Sequence, residues 1–145
     1  MDRIVVGVDG SEGARRALRW ALDEARRWGA SVEAVMAWDY LSQRHPASAA
    51  FDPAYDQDAA KAFLHEEVTS VAGPAPDVEV RSLAVLDHPA SALLVTAKGA
   101  DLLVVGARGL GGFRGLLLGS VSQQCAEHAR CPVVVVPPET EEGER

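Results

Sequence analysis

The chain has 145 residues, 48% of them hydrophobic and 6% aromatic, a length that suits one domain whose single core needs no disulfide or metal to hold it. A formal net charge of −7 opposes general binding to nucleic acid or anionic lipid, and the two cysteines, Cys125 and Cys131, are too few for a disulfide framework or a zinc site. No run approaches the roughly eighteen apolar residues of a membrane span, and MDRIVVGVD leads straight into a strand pattern, so a cytoplasmic protein is expected.

Arg3 to Asp9 (RIVVGVD) is a short β-branched run ended by Gly10 and Ser11, and it reads as a buried strand. Ser11 is placed to cap a helix in which Ala14, Ala17, Leu18, Ala21, Leu22 and Ala25 recur at helical spacing and Gly29 is the stop. Ser31 to Trp38 is the second strand. The stretch from Asp39 to about Pro53 has no clear period and is expected to be a mobile loop, with a second helix over roughly Ala54 to Val71. Val78, Val80, Ser82 and Ala84 alternate with Glu79, Arg81 and Leu83 in a third strand that suits a sheet edge. His88-Pro89-Ala90 opens a third helix closed by Gly99, and Asp101 to Val105 is the fourth strand. A glycine-rich loop comes next, then a fourth helix from Ser120 to about Ala129 and a fifth strand in CPVVVVPP. The charged residues 139–145 read as a disordered tail.

Strands alternating with helices define an α/β fold, an open parallel sheet covered on both faces with right-handed crossovers. Ligands bind such sheets beyond the carboxyl ends of the strands, where the winding reverses. If the first and fourth strands are neighbours, Asp9-Gly10-Ser11 meets the loop that carries Gly106, Gly109, Gly119 and Ser120. Glycines there expose backbone N–H groups, and Ser120 is placed to cap the fourth helix and face an anion, so the loop reads as a phosphate cradle. The competing reading is a plain strand-to-helix connection.

The chain has no G-x-x-x-x-G-K-[ST], no G-x-G-x-x-G after its first strand and no G-x-S-x-G, which weighs against a Walker NTPase, a dinucleotide-binding dehydrogenase and a serine hydrolase. A receiver domain needs clustered acids where only Asp9 stands. His45, His65, His88 and His128 have no partner at metal-ligand or triad spacing, and the two cysteines read as packing residues. Arg108 and Arg114 read equally as solvated loop charges or ligand contacts, and Asp9 has the alternative of capping the first turn.

The spacing G-x2-G-x9-G-S, met by Gly106, Gly109, Gly119 and Ser120, resembles the ATP-binding loop of the universal stress protein family. VGVDGSE, HPA, ADLLVVGARGLGG, LLLGSVS and CPVVVV carry the likeness along nearly the whole chain. The resemblance implies one domain over residues 1–138 with a doubly wound, Rossmann-like sheet of the adenine nucleotide alpha hydrolase type, strand order 3-2-1-4-5. It implies ATP across the strand ends, with Gly7, Val8 and Asp9 near ribose and phosphates and Mg2+ or Mn2+ held indirectly by Asp9. Ala37 and Val105 would border the adenine, and Gly106, Arg108 and Gly109 would line ribose and phosphates. Gly119, Ser120, Val121 and Ser122 would offer N–H groups and hydroxyls to the phosphate oxygens. Ala107 stands where the family often has serine.

The resemblance also implies an ATP-binding stress-response regulator, a homodimer paired through Val133 to Val136, with unidentified protein partners and at most slow hydrolysis. The alternatives are a dimeric scaffold without nucleotide and a true nucleotide hydrolase. The apolar run Val133 to Val136 independently offers unpaired backbone to a second copy if it lies at a sheet edge.

Overall fold

The computed structural model describes residues 1–38, 56–108 and 118–139. Nine elements alternate in chain order: β1 (Arg3–Gly7), α1 (Glu12–Trp28), β2 (Ser31–Trp38), α2 (Gln57–Ala72), β3 (Val80–Leu86), α3 (Pro89–Thr96), β4 (Leu102–Gly106), α4 (Ser120–His128) and β5 (Val133–Val136). The strands form one sheet in the order β3-β2-β1-β4-β5. All four pairings are parallel. β1 therefore lies between β2 and β4, and the winding reverses beside it.

Strand side chains alternate between two apolar layers, which is why β1 and β4 read as nearly continuous apolar runs. Ile4, Val6, Val32, Ala34 and Val104 meet Leu18 and Ala21 of α1 and Leu64 of α2. Val5, Val35, Leu103 and Val105 face Leu93 of α3 and Cys125 of α4 on the other side. Helix ends obey local chemistry. The Ser11 hydroxyl accepts from the Ala14 N–H at 3.1 Å, and Gly29 takes a left-handed φ of 66° that other residues rarely adopt. Pro89 occupies the first turn of α3, where its missing N–H costs nothing.

Several element boundaries differ from the sequence pattern. β1 stops at Gly7, because beyond the Val8 N–H, which still donates to Val35 O at 2.8 Å, the chain turns at Gly10 with φ 86° to start α1. α2 begins after Asp56, whose carboxylate accepts from the Ala59 N–H at 3.0 Å and outcompetes the Ala54 start. β3 begins at Val80, two residues later than the alternation suggests, and β4 runs one residue further, to Gly106. The expected loop from Asp39 to Pro53 and, apart from Glu139, the expected tail lie outside the described residues.

The two poles of the sheet differ. At the amino ends, Arg3 ties three elements together: its Nη1 donates to Glu33 Oε1 at 2.7 Å and to Thr96 O at 2.9 Å, and its Nη2 to Lys98 O at 2.7 Å. That pole is a structural staple. The carboxyl ends carry the residues singled out from the sequence.

Candidate functional site

β1 and β4 are paired with Val6 opposite Val104, so the chain leaves both strands side by side. At the end of β1, Asp9 Oδ1 accepts from the Ser11 N–H at 2.9 Å and from the Ser11 hydroxyl at 2.5 Å. The Ser11 oxygen in turn caps α1, so Asp9 orients the cap from just beyond the carboxyl end of β1. Ala37, the last residue but one of β2, lies on the face shared with α3 and α4.

At the end of β4, the first turn of α4 is fastened to one carbonyl. Ala107 O accepts from the Gly119 N–H at 2.6 Å and from the Ser122 hydroxyl at 2.7 Å. The Ala107 N–H donates to Val136 O at 2.9 Å, which joins this point to β5. Gly119, and not Ser120, is the N-cap residue of α4, and among the described residues no side chain caps the helix. Ser120 is the first helical residue and its side chain is exposed. A glycine cap has no side chain of its own to cover the leading N–H groups of Ser120 and Val121 at the positive end of the helix dipole.

The sequence-predicted residues divide accordingly. Asp9, Arg108, Gly119, Ser120 and Val121 lie at the carboxyl edge where the chain leaves β1 and β4 or enters α4. Val8 and Val105, at 5% and 3% exposure, bury their side chains in opposite apolar layers, so what they bring to the edge is backbone. Gly7 faces α3: a Cβ there would sit 3.0 Å from Leu93 Cδ1. Gly106 faces α1, where a Cβ would meet the carbonyl carbon and oxygen of Gly13 at 2.8 Å. Ser122 is buried, and its hydroxyl serves the protein. Gly109 and Arg114 lie outside the described residues.

Gly13 is a residue that sequence reasoning passes over. Its signal is present, since a glycine in the first turn of a strongly periodic helix costs stability unless something needs the space. The carbonyl of Arg108 uses that space, 2.7 Å from where a Gly13 Cβ would stand.

Other chemistry finds no footing among the described residues. No group of three or more His, Cys, Asp or Glu comes together there to hold a metal ion. Burial pushes the Cys125 thiol up to about 11, with Cys131 nearby adding to the shift, and burial raises Cys131 as well. Neither cysteine is poised as a thiolate at neutral pH. No described helix is long and apolar enough to cross a membrane.

An open, doubly wound α/β protein whose winding reverses beside β1 is the class that this geometry defines. Residues 1–137 match the model of the universal stress protein family, and the chain belongs to that family. A universal stress protein of Mycolicibacterium smegmatis is 37% identical over 135 residues, 93% of this chain and 45% of the relative. One from Mycobacterium tuberculosis is 38% identical over 132 residues, covering 91% of this chain and 44% of the relative. The chain thus spans somewhat under half the length of these relatives. Among solved structures, a universal stress protein in complex with cAMP superposes with a TM-score of 0.70 at 28% identity, over 94% of this chain and 96% of that one. The universal stress protein from Archaeoglobus fulgidus gives 0.69 at 26% identity, over 94% and 93%.

Proposed function

We propose that this chain binds an adenine nucleotide, with ATP as the expected ligand, and acts as a nucleotide-dependent regulator in a stress response. The observation that carries the reading is the glycine-capped start of α4, fastened to Ala107 at the end of β4 beside the end of β1. Uncovered N–H groups at a helix N-terminus suit phosphate oxygens. The related structure with cAMP, similar over nearly the whole chain, supports the adenine part. Ser120 and Val121 would hold phosphate with Gly119 giving the backbone room to approach it, Arg108 and Gly109 would line ribose and phosphates, and Ala37 would border the base. Asp9 supplies one carboxylate, which is compatible with Mg2+ held mainly by phosphate and water. When bound, the nucleotide supplies a phosphate charge that reports occupancy to partners; hydrolysis is expected to be slow, because Asp9 is engaged with Ser11.

A homodimer through β5 belongs to the same proposal. One observation favours a second reading, a scaffold without nucleotide: Gly106 is required by its contact with Gly13 whether or not a ligand is present. Mass spectrometry of nucleotide released from purified protein, with titration calorimetry of ATP, AMP and cAMP, separates the two. Adenine nucleotide carried or bound by the wild type, and lost in Gly119→Val, is the expected result. A wild type that carries and binds none leaves the scaffold.

A further inference from the structure

The resemblance assigns the Ser122 hydroxyl to phosphate, but the geometry gives it another task. Ser122 is 2% exposed, and its Oγ lies 2.7 Å from Ala107 O and 3.1 Å from Gly119 O. A hydroxyl has one proton to donate, and phosphate oxygens only accept. A proton given to Ala107 is not available to a phosphate. The Ala107 carbonyl has two lone pairs and takes two donors, the Ser122 hydroxyl and the Gly119 N–H at 2.6 Å. Those donors lie at the N-cap and the third residue of the helix, on either side of Ser120 and Val121. Two attachments fix direction where one would leave a pivot.

We propose that Ser122 is a positioning residue for anion binding: it pins the first turn of α4 to Ala107 so that the N–H groups of Ser120 and Val121 keep one orientation at the carboxyl edge of the sheet. This rests on the nucleotide reading above. Orientation matters because charge-assisted hydrogen bonds weaken steeply when misaligned. The effect must therefore scale with the ligand's phosphate and leave its nucleoside alone.

Two measurements on Ser122→Ala test this. In nucleotide-free protein, hydrogen exchange at the amides of residues 119–123 should quicken while exchange in β1 and β4 stays unchanged. In calorimetry, ATP should bind about five- to tenfold more weakly, the worth of one buried hydrogen bond, while adenosine stays within about twofold. Ser122→Thr, which keeps the hydroxyl, should restore ATP affinity; if its added methyl lowers the melting temperature, the ATP-to-adenosine contrast in Ser122→Ala decides. Unchanged ATP affinity or unchanged exchange in Ser122→Ala overturns the proposal, as does an equal loss for ATP and adenosine. A wild type that binds neither ligand overturns the nucleotide reading itself, a result distinct from these.

Discussion

Gly106 and Gly13 meet backbone to backbone where the end of β4 crosses the first turn of α1: a Cβ on Gly106 would lie 2.8 Å from the carbonyl carbon and oxygen of Gly13. From the helix side the chain just past β4 is as close, with a Gly13 Cβ falling 2.7 Å from Arg108 O. Neither neighbour is a flexible side chain, so relief requires the helix to move from the sheet. Gly106→Ala and Gly13→Ala should each destabilise by about 1–3 kcal/mol, read as a lower urea midpoint at unchanged slope. The double variant should lose less than the sum, because one displacement relieves both. A Gly106→Ala protein as stable as wild type would mean that this glycine is not needed for packing.

That contact also marks the limit of what is legible in the sequence. The alternation of strands and helices, the Ser11 cap and the Gly29 stop are legible because each depends on residues within a few positions. The neighbouring of β1 and β4 enters the sequence reading as a condition, and the fold meets it. Gly106 looks ligand-facing from sequence, since a periodic pattern carries no information on which helix will cross a strand end. Ser122 looks like a ligand contact for a similar reason: its acceptor, Ala107, is fifteen residues away and reached only through the fold. Ser120 passes for the cap because serine is the commoner capping residue beside a glycine, whereas here the glycine itself occupies the position.

Arg15 and Glu67 join α1 to α2 through two contacts, Nε to Oε1 at 3.1 Å and Nη2 to Oε2 at 3.2 Å. The Glu67 side chain is 11% exposed and the Arg15 side chain 34%, so the pair lies between a surface bridge and a buried one. The hydrogen bond to Glu67, offset in part by burial, holds the Arg15 guanidinium above its ordinary range. Glu67→Ala should cost about 1–2 kcal/mol, partly because among the described residues Arg15 then keeps only Glu12, 3.5 Å away. A double-mutant cycle with Arg15→Ala should return a coupling of about 1 kcal/mol that shrinks in 1 M salt. Zero coupling would reduce the pair to a surface bridge.

Cys125 makes the fold sensitive to alkali. Its thiol is buried and holds its proton up to about 11 in the folded chain, whereas an unfolded cysteine ionises near the ordinary value of 9.0. Below pH 9 both states are protonated and the stabilisation is complete. Between pH 9 and about 11 only the unfolded state releases the proton, so stability falls with rising pH, by at most about 1.4 kcal/mol per unit from this group. Urea titrations from pH 8 to 10.5 should show that slope, and Cys125→Ala should reduce it to the smaller part that Cys131 carries while lowering stability at pH 8. The same slope in wild type and variant would assign it to other groups.

β5 ends the sheet, and its bonding pattern shows which of its groups face outward. Pro132 O accepts from the Leu103 N–H at 3.0 Å and Val136 O from the Ala107 N–H at 2.9 Å, both toward the β4 side. Alternation then turns the N–H and C=O groups of Val133 and Val135 toward the open edge, ready to pair with the same strand of a second copy about a twofold axis. Proline at 135 removes an outward donor and leaves the β4 ladder intact, the arrangement edge strands tolerate. Light scattering at micromolar concentration should give a dimer for wild type and a monomer for Val135→Pro, with cooperative unfolding retained. A monomeric wild type, or a variant that stays dimeric, would place self-association, if any, on another surface.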